Sequence, residues 1–179
     1  MTTKDDFSAE EWAQVAPLAG MVLGGAVLAD GRKVISSVRE VVAGSEALKK
    51  GAEKYPNNVL LTQLVESGGK MKLDSKPSST EAALSEISSD TQQAWTLLQS
   101  KATPEESAQI SEVLLSAAQA AVERTGSGHF GMGGEKVDSA EQSYMDKLTA
   151  TLSVSAGSQS ADAGAGSGAS EASDGAGQA

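Results

Sequence analysis

The chain has no cysteine and only one histidine among its 179 residues. Disulfides, thiolate metal sites and cysteine nucleophiles are excluded, and so is a zinc site built from several His or Cys ligands. Aromatic residues make up 3% of the chain, so a core has to be assembled mainly from Leu, Val, Ile, Ala and Met. Such cores suit helices, because Ala and Leu favour helix whereas β-branched and aromatic residues favour strands. Positive charge is scarce as well: 14 Lys and Arg stand against 24 Asp and Glu, for a net charge of −10. A nucleic-acid partner needs a basic stripe and is not expected. The acidity implies solubility and leaves room for a cationic partner. The opening MTTKDDF lacks a basic region followed by an apolar one. No secretory signal is expected on that ground, and the cytoplasm is the default location.

Strand patterning is missing too, since no segment alternates strictly between apolar and polar residues. The expected class is therefore all-α: a compact bundle of about six helices over residues 1–152, followed by a tail over residues 153–179. From Ser153 on the chain is almost entirely Ser, Gly, Ala, Asp and Gln. That composition cannot bury enough apolar surface to fold, and disorder is expected there.

What the chain does have is one long uncharged stretch, Trp12 to Ala29, in which only Gln14 is strongly polar. Ser8 and Glu11 form a capping box ahead of it, Phe7 and Trp12 stand at the positions of a hydrophobic staple, and Glu10 and Glu11 suit the helix dipole. Beyond Pro17 every face is apolar and small, which marks a helix buried in a core or in a membrane. A bilayer span takes about 20 mostly apolar residues. The run free of polar side chains, Val15 to Ala29, is shorter, rich in Ala and Gly, and lacks an orienting Lys/Arg cluster. A core helix is the expectation, with a membrane anchor as its rival. Gly20, Gly24 and Gly25 (the last spaced four from Met21) let helix backbones approach closely. They mark a helix-pairing or self-association face, or else a crowded bundle centre.

Further helices are expected over Lys33–Ala43, with Gly44 as its C-cap, and over Ser45–Lys54, interrupted at Gly51. Tyr55–Asn58 reads as a turn, Val59–Val65 as a short helix ending near Gly68, and Gly69–Ser79 as a linker. Thr80–Lys101 follows, capped by Ser78 with Glu81, and buries Leu84, Ile87, Trp95 and Leu98. Thr103, Pro104 and Glu106 start the next helix with a second capping box. Its stripe is Ile110, Val113, Leu114, Ala117, Ala121 and Val122, and Gly126 closes it. The last helix is capped by Asp138 with Glu141 and buries Tyr144, Met145, Leu148 and Leu152.

Two stretches lie over each other without a gap: SAEEWAQVAPLAGMVLGGAVLADG from Ser8 and TPEESAQISEVLLSAAQAAVERTG from Thr103. Both open on a capping box and close on glycine, and Gly31-Arg-Lys-Val34 and Gly134-Glu-Lys-Val137 lead the helices that follow. The overlay suggests two related helix-loop-helix units whose first helices touch at the bundle centre.

Few residues could carry chemistry. The Gly-rich segment Thr125 to Lys136 holds the sole histidine, His129, but a phosphate-cradling loop needs GxxxxGK[ST] after a strand. Here Gly134 is followed by Glu135, and no nucleotide cofactor is expected. Serine nucleophiles need a base within reach, and nothing resembles GxSxG. A non-enzymatic role follows. Carboxylates near the two turns (Asp30, Glu40, Glu135, Asp138 and Glu141) are the candidates for a Mg²⁺ or Ca²⁺ site, which would need convergent oxygens. Asp138 and Glu141 already have a role as a cap pair.

The segment Gly134-Glu-Lys-Val137-Asp138-Ser139-Ala140-Glu141, running into an amphipathic helix, resembles a motif of the tellurite-resistance TerB-like helical proteins. Asp30-Gly31 after the Ala-rich first helix is a similar beginning. The resemblance implies a compact bacterial helical bundle and a stress-related role with acidic residues at the turns. The chain departs from the pattern where Gly133 stands in place of an acidic residue, and where no Glu follows Asp30-Gly31 at the matching spacing. The reading of the whole sequence is a soluble helical protein that acts through protein–protein contact, most simply as a homo-oligomer.

Overall fold

The computed structural model describes residues 1–29, 34–67, 79–126 and 139–153. Among them there is no strand, and the chain is an all-α bundle. A single 3-10 turn, Lys4–Asp6, precedes α1 (Ala9–Val15), α2 (Leu18–Ala29), α3 (Val34–Lys54), α4 (Val59–Ser67), α5 (Thr80–Gln99), α6 (Pro104–Gly126) and α7 (Ser139–Ser153). Of the expected tail, Ser153 ends α7 and the rest lies outside the described residues, as do the linker up to Ser78 and most of the Gly-rich loop.

The helix starts follow local chemistry. Ser8 Oγ accepts from the Glu11 N–H at 3.2 Å while Glu11 accepts from the Ser8 N–H at 2.7 Å, closing the capping box. The staple forms as well, with the Phe7 and Trp12 rings 5.8 Å apart. Thr103 and Glu106 make the second box, at 3.2 and 2.9 Å. At α5 the cap is Ser79, which accepts from Ala82, rather than Ser78. Asn58 caps α4 by accepting from Leu61, and its amide donates to the Glu106 carbonyl and to Gln109 at 3.1 and 3.0 Å, tying α4 to α6.

The helix expected from Ser8 to Ala29 is broken once. Pro17 has no N–H to continue the ladder, so the last bond of α1 runs from Ala16 to Trp12 and the first of α2 from Met21 to Pro17. Beyond the break α2 is the central element, packed on α3, α4, α5, α6 and α7. Leu18, Ala19, Met21, Val22, Leu23, Gly25, Ala26 and Ala29 are buried. Each of its four large side chains contributes about 1.5–3 kcal/mol by leaving water.

Where the sequence suggested two helices, Lys33–Ala43 and Ser45–Lys54, there is one. α3 runs unbroken through Gly44 and Gly51. Neither glycine ends a helix; each lets another helix come close. A Cβ on Gly44 would strike Leu23 Cδ2 and lie 3.3 Å from the Ala117 carbonyl oxygen, and one on Gly51 would lie 2.5 Å from Val113 Cγ1. The two glycines are seven residues apart and meet Val113 and Ala117, four apart on α6, so a single seam joins α3 to α6. This is the most extensive helix pair in the molecule. Nearby, Lys54 and Tyr55 both donate to Glu112 of α6 at 2.5 Å. That exposed cluster holds the lysine pKa up, chiefly through its bond to Glu112 and then through Tyr55.

The two stretches that overlay in sequence sit against each other, because α2 packs on α6. Exchanging α2 with α6 and α3 with α7 maps packed pairs onto packed pairs: α2–α3 onto α6–α7, and α2–α7 onto α6–α3, the last being much the larger contact. Tyr144 of α7 donates to the Val22 carbonyl of α2 at 2.8 Å, while Gly44 of α3 approaches the carbonyl of Ala117 on α6. Val22 and Ala117 are matched positions in the gapless overlay.

Candidate functional site

The small residues of α2 divide between two directions. Successive residues of a helix turn by about 100°, so neighbours in sequence cannot share a face. Gly25 points inward with Met21, and a Cβ there would lie 2.5 Å from Cε2 and Cζ of Tyr144. Its bareness makes room for the tyrosine, whose hydroxyl reaches Val22. Burial pushes the Tyr144 pKa up, so the phenol stays protonated and keeps donating. Gly20 and Gly24 point the other way. With Pro17 and Val27 they form a half-buried stripe at positions i, i+3, i+7 and i+10. Among the described residues it is the side of α2 left partly open, and it carries no charge.

A second assembly gathers around Glu106, read in the sequence only as a cap. It is buried at 8% exposure, yet it accepts from the Thr2 N–H at 2.7 Å, the Thr2 hydroxyl at 2.8 Å and the Thr103 N–H at 2.9 Å. Burial opposes its ionisation. The bonds from Thr103 and Thr2 outweigh that penalty and bring its pKa down from 4.5 to about 2. Lys101 completes the clasp, pairing with Glu11 at 2.7 Å, donating to the Asp6 carbonyl at 3.0 Å and resting over the Phe7 ring at 5.5 Å. The bond to Lys101, followed by that to the Ser8 N–H, lowers the Glu11 pKa. The assembly fastens residues 2–11 to the start of α6. Three hydrogen bonds hold this carboxylate in place as a structural tie.

Of the metal-ligand candidates, Asp30, Glu135 and Asp138 lie outside the described residues, as do the side chain of Glu40 and the histidine His129. Glu141 is described: it is buried in the first turn of α7, at 4% exposure. Among the described residues no three His, Asp or Glu side chains gather into a metal-binding group. No family model, no curated protein and no solved structure matches the chain.

Proposed function

We propose that the protein is a non-enzymatic, cytoplasmic helical bundle that works by contact with other proteins, in the first instance a second copy of itself. The observation that carries this reading is the partly open stripe of α2, Pro17, Gly20, Gly24 and Val27. Two copies of a chain with net charge −10 repel over most of their surface. An uncharged face is where that repulsion is least, and glycines four apart allow two helices to approach closely. Such a contact is isologous, the same stripe meeting itself across a twofold axis.

Light scattering over a concentration series tests this. The wild-type mass is expected to rise from 18.1 kDa towards twice that value. Gly24→Glu places a charge in the stripe and is expected to hold the mass at the monomer value while the helical circular dichroism is unchanged. A wild type that stays monomeric at the highest attainable concentration contradicts the reading.

One observation favours a second reading. Taken together, α1 and α2 span Ala9–Ala29, 21 residues, long and apolar enough to cross a membrane, although about half of that stretch is buried within the bundle. A membrane-anchored protein would use this helix outside the bundle, exposing α5, α6 and α7 where α2 now covers them.

A further inference from the structure

Three polar side-chain atoms on α5 are buried without a partner, two of them on buried residues and the third on the half-buried Gln99. Thr91 Oγ1, Trp95 Nε1 and Gln99 Nε2 are buried and meet no hydrogen-bonding atom. Thr91 and Trp95 are only 3% and 2% exposed. The three are not scattered: at i, i+4 and i+8 they stand above one another on one face of the helix. α5 packs chiefly on α2 and α1, the two pieces of the helix broken at Pro17.

The chemistry of the stripe says what it accepts. The indole offers only a donor, the unpartnered Gln99 atom is a donor, and the threonine hydroxyl can donate or accept. The missing partner is therefore an acceptor for at least two donors that can also donate onward. Side chains one turn apart have Cβ atoms about 5–6 Å from each other. The other buried residues on this side of α5, Ile87, Ala94 and Leu98, are apolar and supply no counter-charge, which disfavours an anion. Water satisfies every condition: it is small, accepts from the indole and the amide, donates to Thr91, and is held in protein interiors by two to four such partners.

We propose that the seam between α5 and the broken α1–α2 helix is a buried hydration site, in which ordered water bridges Thr91, Trp95 and Gln99. The proposal is independent of self-association, since the seam lies inside one chain.

The test uses the full chain in solution, with water-to-protein NOE spectroscopy and oxygen-17 relaxation dispersion. The indole N–H of Trp95, distinguished from that of Trp12 by Trp12→Phe, is expected to show a water cross-peak of the sign that marks a long residence. The dispersion is expected to report at least one long-lived water, and Thr91→Val with Gln99→Met is expected to remove one or more while the fold persists. Trp95→Phe provides a second variant that removes the central donor. A dry Trp95 indole with no long-lived water overturns the proposal, especially if the double variant melts no lower than wild type. An organic molecule retained in native mass spectrometry and released by the double variant also overturns it, because the seam would then hold a ligand other than water.

Discussion

Gly25→Ala is expected to destabilise the protein by about 2–4 kcal/mol, against the ordinary direction of the substitution. Inside a helix, alanine is normally preferred to glycine by about 1 kcal/mol. Here the added methyl would lie 2.5 Å from the ring carbons of Tyr144, between α2 and α7. Neither backbone can yield easily, since both helices are packed on other elements of the bundle. Overpacking of this kind costs about 1–3 kcal/mol. Displacing the ring also strands the buried Tyr144 hydroxyl and its bond to Val22, which adds about 1–3 kcal/mol. Thermal melting and urea titration check the loss. Adding Tyr144→Leu to Gly25→Ala should restore much of it, because the two substitutions share one contact and their effects do not add. Gly24→Ala is the internal control: that residue is half-exposed, and its change should be neutral or stabilising by up to about 1 kcal/mol. A Gly25→Ala protein as stable as wild type would remove the tyrosine lock from the description of the core.

Glu106→Gln is expected to cost about 2–3 kcal/mol at neutral pH and to flatten the acid limb of the stability curve. The carboxylate holds Thr2 and Thr103 with three charge-assisted bonds in a buried position. Its pKa falls from 4.5 to about 2 on folding. A carboxylate whose folded pKa is depressed stabilises the native state above the unfolded value and loses that contribution as pH falls through the folded value. At about 1.4 kcal/mol for each tenfold change in proton affinity, the full contribution is about 3 kcal/mol. It is present above pH 4.5 and disappears towards pH 2. Glutamine keeps the shape but cannot accept all three bonds on charged oxygens, so the variant should show this loss at pH 7 and a smaller further decline in acid. Urea midpoints from pH 7 down to pH 2 give the comparison. Parallel acid limbs in the two proteins would show that Glu106 is not the group that titrates.

The features that could be read from the sequence are the short-range ones. Both capping boxes are i, i+3 arrangements, and the same two side chains that suggest them also make them. The Phe7–Trp12 staple is of the same kind. The apolar stripe of α6 could be counted from its spacing because one helix face defines it. Gly44 and Gly51 lie inside α3 rather than at its ends, because glycine carries two meanings that look identical in a single chain. A glycine can end a helix or admit a neighbour, and only the presence of Leu23 and Val113 opposite decides.

The candidate face on α2 was half legible. Gly20 and Gly24 fall on the open side as their spacing allows, while Gly25 lies about 100° away and serves the core. A strict projection of the helix would have separated them without any structure. The Thr2–Glu106 clasp had no such signal, since its partners are 104 residues apart. The polar stripe of α5 lay between these cases. Trp95 was expected to be buried, and Thr91 and Gln99 flank it at four-residue spacing, but that all three lack partners depends on what α1 and α2 bring to the seam.

In the function proposed above, Leu18 to Ala29 is the core of a water-soluble bundle. Backbone hydrogen exchange on detergent-free protein tests it most directly. The amides from Val22 to Ala29 are expected among the slowest in the chain, exchanging only when the whole bundle unfolds, with α6 in the same class. Rapid exchange across α2 in otherwise folded, soluble protein would contradict the account, as would protection of α2 that appears only when lipid or detergent is supplied.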